Sequence, residues 1–80
     1  MKCSRMLVLY DKKDLTALVQ QDMGKDEAML VVKCLRRLNM PQPFYNLLAD
    51  ALSSTDADKY GEELERWNPL VTAKLNSLNG

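Results

Sequence analysis

The chain contains no histidine, and its 80 residues include only three glycines and two cysteines. Histidine is the commonest general base and metal ligand near neutral pH, so neither cysteine has the partner that would activate it as a nucleophile. Three glycines do not supply a phosphate-binding loop of the GxxxxGK or GxGxxG type. These absences weigh against catalysis, and we expect a protein that is not an enzyme and uses no cofactor, metal or small-molecule substrate.

The sequence also lacks long apolar runs and any regular cysteine pattern. Cys3 and Cys34 follow no metal-ligand spacing and stand among apolar residues, which favours packed thiols in a reducing compartment. The apolar run at residues 6–10 is too short for a signal peptide, and no run approaches the length of a transmembrane helix. We therefore expect a cytoplasmic protein without a membrane partner.

The charges sum to zero but are unevenly distributed along the chain. Residues 1–37 carry eight basic and five acidic side chains, a net charge of +3, whereas residues 38–80 carry three basic and six acidic ones, a net charge of −3. A dipolar surface of this kind favours head-to-tail association with a protein over binding to a polyanion. The length predicts one domain, residues 1–80, whose small core itself favours self-association or partner binding.

Apolar residues recur at helical spacing, which predicts an all-α fold, a compact bundle of five or six short antiparallel helices. The strongest pattern is in residues 28–52, where two apolar-periodic segments flank Asn39-Met40-Pro41-Gln42-Pro43. The predicted segments are residues 6–10 (a helix or an extended arm), 11–23 with Gly24 as a left-handed stop, 26–38, 43–52, a helix after the capping cluster 53–56, and a last helix beginning at Asn68-Pro69.

Two segments resemble functional motifs, one for DNA binding and one for calcium binding, but each lacks residues that the motif requires. Residues 28–52 have the outline of a helix-turn-helix, but the outward residues of the second helix, among them Asn46, Ala49 and Asp50, include no cation for DNA. The segment starting at Asp56 resembles the opening of a calcium loop, yet its twelfth position, where a bidentate glutamate belongs, is Trp67. A helix N-terminus with favourable acids explains that segment better.

The predicted helix 26–38 has a core stripe of Ala28, Val31, Val32, Leu35 and Leu38, and other residues fall outside it. Met29 and Leu30 then stand beside Lys33, Arg36 and Arg37, a mixed apolar and basic face that is typical of a protein contact. Two alternatives remain open. In one alternative, the helix is central and buries Met29 and Leu30. In the other, Arg36 and Arg37 are surface residues that only favour the negative end of the helix dipole.

From about residue 11 to residue 67 the arrangement resembles the death-fold superfamily, in its caspase-recruitment and death-effector branches. The stretches that carry the resemblance are AMLVVKCLRRL, PFYNLLADAL after a short turn, and TDADKYGEELERW as a capped final helix. Phe44-Tyr45 followed by Leu48 and Ala51-Leu52 is similar to the aromatic-then-Ala-Leu spacing of caspase-recruitment domains, and LVVKCLRRLNM resembles the fourth helix and turn of death-effector domains. The arginine-x-aspartate-leucine signature of death-effector domains is absent, and only residues 1–10 are available for the long first helix of the family.

The resemblance implies a non-catalytic adaptor of apoptotic or innate-immune signalling that associates through complementary charged helix faces. The basic face would comprise Lys33, Arg36 and Arg37, and the acidic face would comprise Asp56, Asp58, Glu62 and Glu65, in agreement with the opposite charges of the two halves. The alternative is a small bacterial or phage regulatory protein that binds and inhibits a host protein through the Met29–Leu30 region. A nucleic-acid-binding transcription regulator ranks below both.

Overall fold

A computed structural model describes residues 5–79, and for residue 79 the backbone alone. In this range the chain forms five α-helices and no strand. The helices are α1 (Met6–Lys12), α2 (Leu15–Val19), α3 (Lys25–Leu35), α4 (Gln42–Ser53) and α5 (Gly61–Asn79). Two 3₁₀ turns, Arg36–Leu38 and Ala57–Tyr60, follow α3 and precede α5. The predicted all-α fold class is confirmed. Cys3 lies outside the described residues.

The predicted segment 11–23 is divided between two helices. Residues 6–10 belong to α1, as helix and not as an extended arm, and α1 ends at Lys13 in the left-handed conformation (φ 56°). Asp14 then caps α2, because its carboxylate accepts hydrogen bonds from the Thr16 N–H (3.0 Å) and hydroxyl (2.8 Å). Asp11, the first residue of the predicted segment, lies inside α1 instead.

The hairpin of α3 and α4 is nearly as predicted, with two corrections. Gly24 does not adopt the expected left-handed conformation, because it is the extended N-cap of α3 (φ −76°) and not a helix stop. The left-handed residue in this hairpin is Asn39 (φ 52°), which ends the 3₁₀ turn after α3. Pro41 is the N-cap of α4, so the helix begins at Gln42, one residue before the predicted start at Pro43.

The predicted break at Asn68-Pro69 is wrong, since α5 continues through Pro69 as one helix of 19 residues. Leu64, Val71 and Leu75 are all buried and lie on one face, so packing on both sides of Pro69 offsets its cost of about 3 kcal/mol in a helix interior. Although α5 is the longest helix, neither it nor any other helix in residues 5–79 is long and apolar enough to cross a membrane.

The buried apolar side chains of the described residues form one cluster to which all five helices contribute. Phe44 lies at its centre, fully buried, with edge-on contacts to the rings of Tyr45 (5.3 Å) and Trp67 (5.4 Å) between centroids. Aromatic pairs in this geometry contribute about 0.5–1.5 kcal/mol beyond their buried area. The core therefore joins α4 firmly to α5 and leaves one side of the α3–α4 hairpin free of a third helix.

Candidate functional site

An open groove of about 720 Å³ lies between α3 and the C-terminal half of α4, and we call it the α3/α4 groove. Its apolar lining comes from both helices and from the segment before α3: Met23, Ala28, Met29, Val32, Ala49 and Leu52. The side chains of Ala28 and Ala49 are short, so the two helices pack without filling the space between these positions. Met29 stands at the edge with 60% of its surface exposed.

Part of the predicted core stripe of the third helix lines this groove. Val31, Leu35 and Leu38 are buried as expected, whereas Ala28 and Val32 are only half-buried and face the groove. The predicted stripe is therefore wider than the buried one. Ala28 and Val32, the part of the predicted stripe that is not buried, belong to the apolar lining of the groove.

Three cations border the apolar lining on the α3 side, and none of the residues that line the groove is acidic. Lys25, Lys33 and Arg36 lie along α3 and its 3₁₀ extension, over eleven residues or about 16 Å of helix. Between residues 5 and 79 the one ion pair is Arg5–Glu27 at 3.3 Å, so none of the three cations has a carboxylate partner in this part of the chain. The nearby Asp26 is exposed and lies outside the lining.

Arg36 is held at the groove by Tyr45. The guanidinium carbon of Arg36 lies 5.0 Å from the centroid of the Tyr45 ring, within the range of a cation–π contact. The ring is itself fixed, because the Tyr45 hydroxyl accepts from the Met40 N–H and donates to the Leu35 carbonyl oxygen, both at 3.0 Å. The turn that joins α3 to α4 thus also positions a cation at one end of the groove.

The predicted basic and apolar face is only partly one surface. Met29, Lys33 and Arg36 meet in the groove, whereas Arg37 is exposed but lies outside its lining. Leu30 is half-buried and packs against the core, so for this residue the alternative of burial holds. Helical geometry explains the separation. With 100° per residue, Leu30 and Arg37 lie about 100° or more around the axis of α3 from the mean direction of its groove residues.

The predicted acidic residues Asp56, Asp58, Glu62 and Glu65 are all exposed. The carboxylate of Asp58 accepts a hydrogen bond of 3.0 Å from the Gln20 side chain. Asp56 is the N-cap of the 3₁₀ turn but makes no side-chain capping bond, and its own N–H donates to the Ser54 hydroxyl (3.0 Å). Within the described residues no group of three potential ligands is suited to a metal ion.

A second polar cluster, at Asp14, serves the fold and not the groove. Partial burial raises the pKa of Asp14, but hydrogen bonds from the Thr16 hydroxyl, the Asn68 amide and the Thr16 N–H together hold this pKa below its ordinary value of 3.8. Asn68 also accepts from the Leu15 N–H at 2.8 Å. The residue predicted to cap a sixth helix thus caps α2 from the side of α5.

Sequence reasoning missed several residues of the groove, namely Met23, Lys25, Ala49 and Leu52. One signal was present. Lys25, Met29, Lys33 and Arg36 follow one another at intervals of four, four and three residues, which places them on a single face of a helix. The contribution of α4 has no such signal, because Ala49 is a single small residue among the outward residues of its helix and Leu52 follows the apolar spacing of a core helix.

No protein-family model, curated protein or solved structure matches this chain. The death-fold resemblance therefore stays a prediction, and the site has to be interpreted from its own geometry.

Proposed function

We propose that the protein is a non-catalytic interaction module that binds an acidic protein partner in the α3/α4 groove. The observation that carries the proposal is the composition of this groove, in which an apolar lining is surrounded by Lys25, Lys33 and Arg36 and contains no acidic side chain. A partner that presents apolar side chains between carboxylates would complement both properties.

The magnitudes favour a groove over a purely charged contact. An exposed charge pair contributes about 0–1 kcal/mol, so three pairs supply at most about 3 kcal/mol. Association costs about 4–15 kcal/mol in lost translational and rotational freedom. Burial of one large apolar side chain contributes about 1.5–3 kcal/mol, so two or three of them in the groove are needed to reach stable binding. In this proposal the cations select the partner and the apolar lining supplies most of the affinity.

Either biological setting suggested by the sequence is compatible with such a groove. A death-fold-like adaptor would recruit an acidic signalling protein, and a bacterial or phage regulator would block a host protein by occupying one of its helices or loops. The identity of the partner separates these settings. A nucleic-acid partner is not favoured, because α4, the second helix of the hairpin, contains no lysine or arginine.

Self-association is the second candidate, and it is supported by the exposed carboxylates of Asp58, Glu62 and Glu65. Glu62 and Glu65 lie one turn apart on α5, and Asp58 lies in the 3₁₀ turn before it, so these carboxylates could face the cations of another copy. The exposed large apolar side chains of residues 5–79 lie elsewhere, at Leu7, Tyr10, Met29, Leu70 and Leu78. A head-to-tail contact of this kind would therefore be weak and sensitive to salt.

Sedimentation at low and high salt tests the self-association candidate. Concentration-dependent association in low salt that disappears in high salt and in Arg36→Glu would support it. A monomer at high concentration in low salt, with the same behaviour in Arg36→Glu, would reject it and leave the groove proposal unaffected.

The main proposal is tested by partner capture with three forms of the protein, the wild type, Arg36→Glu and Arg37→Glu. The two variants carry the same change of charge at neighbouring exposed positions, but only Arg36 lines the groove. Quantitative mass spectrometry is expected to show an acidic protein that binds the wild type and Arg37→Glu and is reduced at least tenfold on Arg36→Glu. Equal capture by all three forms, or equal loss from both variants, would contradict the proposal.

A further inference from the structure

We infer that the segment of the partner that occupies the α3/α4 groove is a single amphipathic α-helix of about three turns, with carboxylates at both ends of its contact face. The inference rests on the proposed function and specifies the secondary structure, length and charge spacing of the bound segment.

The shape of the groove favours a helix. Its lining follows α3 from Lys25 to Arg36, about 16 Å or three helical turns, and residues 49–54 at the C-terminal end of α4 line the other side. Two packed helices with an open groove between them accept a third helix by ordinary ridge-and-groove packing. A peptide that binds by strand addition would need an exposed sheet edge for its backbone hydrogen bonds, and residues 5–79 contain no strand.

The lining also favours regularly spaced apolar side chains. The lining includes two alanines, Ala28 and Ala49, whose short side chains leave room beside Met29 and Leu52 for larger apolar side chains of a ligand. Residues of a bound helix reach the same groove at intervals of three and four positions. Met29 is unbranched and flexible, so leucine, isoleucine and phenylalanine are all acceptable anchors.

The positions of the cations set the charge pattern of the bound helix. Lys25 lies at one end of the groove, and Lys33 and Arg36 lie at the other, and the two lysines are eight positions or about 12 Å of helix apart. A helix along the groove would therefore carry Asp or Glu residues seven or eight positions apart. The acidic stripe of the chain itself spans seven residues, from Asp58 to Glu65, but it lacks exposed large apolar anchors between its acids.

A displayed library of random 16-residue peptides tests the inference. Selection uses the folded wild-type chain, with counter-selection against Ala49→Glu, which places a carboxylate in the groove. Ala73→Glu is the matched control, because Ala73 is also exposed and helical but lies on α5 outside the groove. Circular dichroism and thermal unfolding of both variants establish that each is folded.

The expected peptides have apolar residues at intervals of three and four, with acids seven or eight positions apart. They should bind Ala49→Glu at least tenfold more weakly than Ala73→Glu, and a proline at the centre of the peptide should weaken binding at least tenfold. Acidic peptides without this periodicity, unaffected by the central proline, would overturn the helical inference and leave the proposed function standing. Selected peptides that are not acidic and bind the two variants equally would overturn the helical inference and the proposed function together. A selection without enrichment would overturn the helical inference.

Discussion

The hydroxyl of Tyr45 donates a hydrogen bond of 3.0 Å to the carbonyl oxygen of Leu35, the last residue of α3. The same hydroxyl accepts from the N–H of Met40, also at 3.0 Å. One side chain of α4 thus adds a hydrogen bond to a carbonyl at a helix end and supplies a partner for a buried N–H in the following turn. Since the ring of Tyr45 also contacts Arg36, the α3–α4 turn and the charged end of the groove depend on the same residue.

Tyr45→Phe should lower the free energy of unfolding by about 1–3 kcal/mol, because the ring is retained while the buried Met40 N–H loses its partner and the Leu35 carbonyl loses one hydrogen bond. Urea unfolding followed by circular dichroism measures the change. Tyr10→Phe is the matched control, since Tyr10 is exposed and its hydroxyl makes no hydrogen bond within the described residues; its effect should stay within about 0.5 kcal/mol. Equal stability of Tyr45→Phe and the wild type would contradict the role assigned to the hydroxyl.

Asn68→Ala should destabilise the protein by about 1–2 kcal/mol, because the first turn of α2 loses a cap supplied from α5. The Asn68 side chain accepts from the Leu15 N–H and donates to the Asp14 carboxylate, at 2.8 Å and 3.0 Å. Asn76→Ala, an exposed change on the same helix, should have little effect in the same unfolding experiment. A similar change of stability in both variants would contradict the role assigned to the contact between Asn68 and α2.

The stability should fall in acid partly through Asp14. The pKa of Asp14 is lower in the folded protein than its ordinary value of 3.8, so its contribution is fully present above pH 3.8 and is lost as the pH falls through the folded-state pKa. Urea unfolding between pH 7 and pH 2.5 should therefore show a steeper acid loss for the wild type than for Asp14→Asn. A difference between the two proteins that stays constant with pH would contradict this assignment.

Gly61→Ala should stabilise the protein by about 0.5–1 kcal/mol, because Gly61 has helical dihedral angles (φ −55°, ψ −47°) and an added Cβ would meet no atom within 4 Å. Gly24→Ala is the contrasting variant. Gly24 also has room for a Cβ but is the N-cap of α3, where alanine is a poor residue, so no gain is expected. Thermal unfolding of the two variants measures the difference, and a loss of stability in Gly61→Ala would contradict it.

Much of the fold could be predicted from helical periodicity, and the errors have specific physical causes. Leu15, Leu18 and Val19, and likewise Phe44, Leu48 and Ala51, recur at helical spacing in the sequence and are all buried. Pro69 predicts a helix start because proline disfavours helix interiors, but Leu64 and Val71 continue one buried face across it. Tertiary packing outweighs local propensity there, and no local pattern reports it.

The candidate site was only half visible in the sequence. Met29, Lys33 and Arg36 follow a helical stripe, and the structure places them together in the groove. Ala49 and Leu52 belong to a different helix, and their position opposite that stripe depends on how α3 and α4 cross. Tyr45 was also missed as a buried residue, because its hydroxyl needs the partners at Leu35 and Met40 that only the turn supplies.

The most direct test of the proposed binding groove is to map backbone amide chemical shifts in a ¹⁵N-labelled sample of the protein during titration with its acidic ligand. The ligand is the captured partner or, in its absence, the acidic peptide selected on the wild type. We predict that the largest shifts fall in residues 23–36 and 49–54, and that the titration of Arg37→Glu shows the same pattern. Shifts concentrated in residues 56–65 or in α1, with residues 23–36 unchanged, would contradict the assignment of the groove as the binding site.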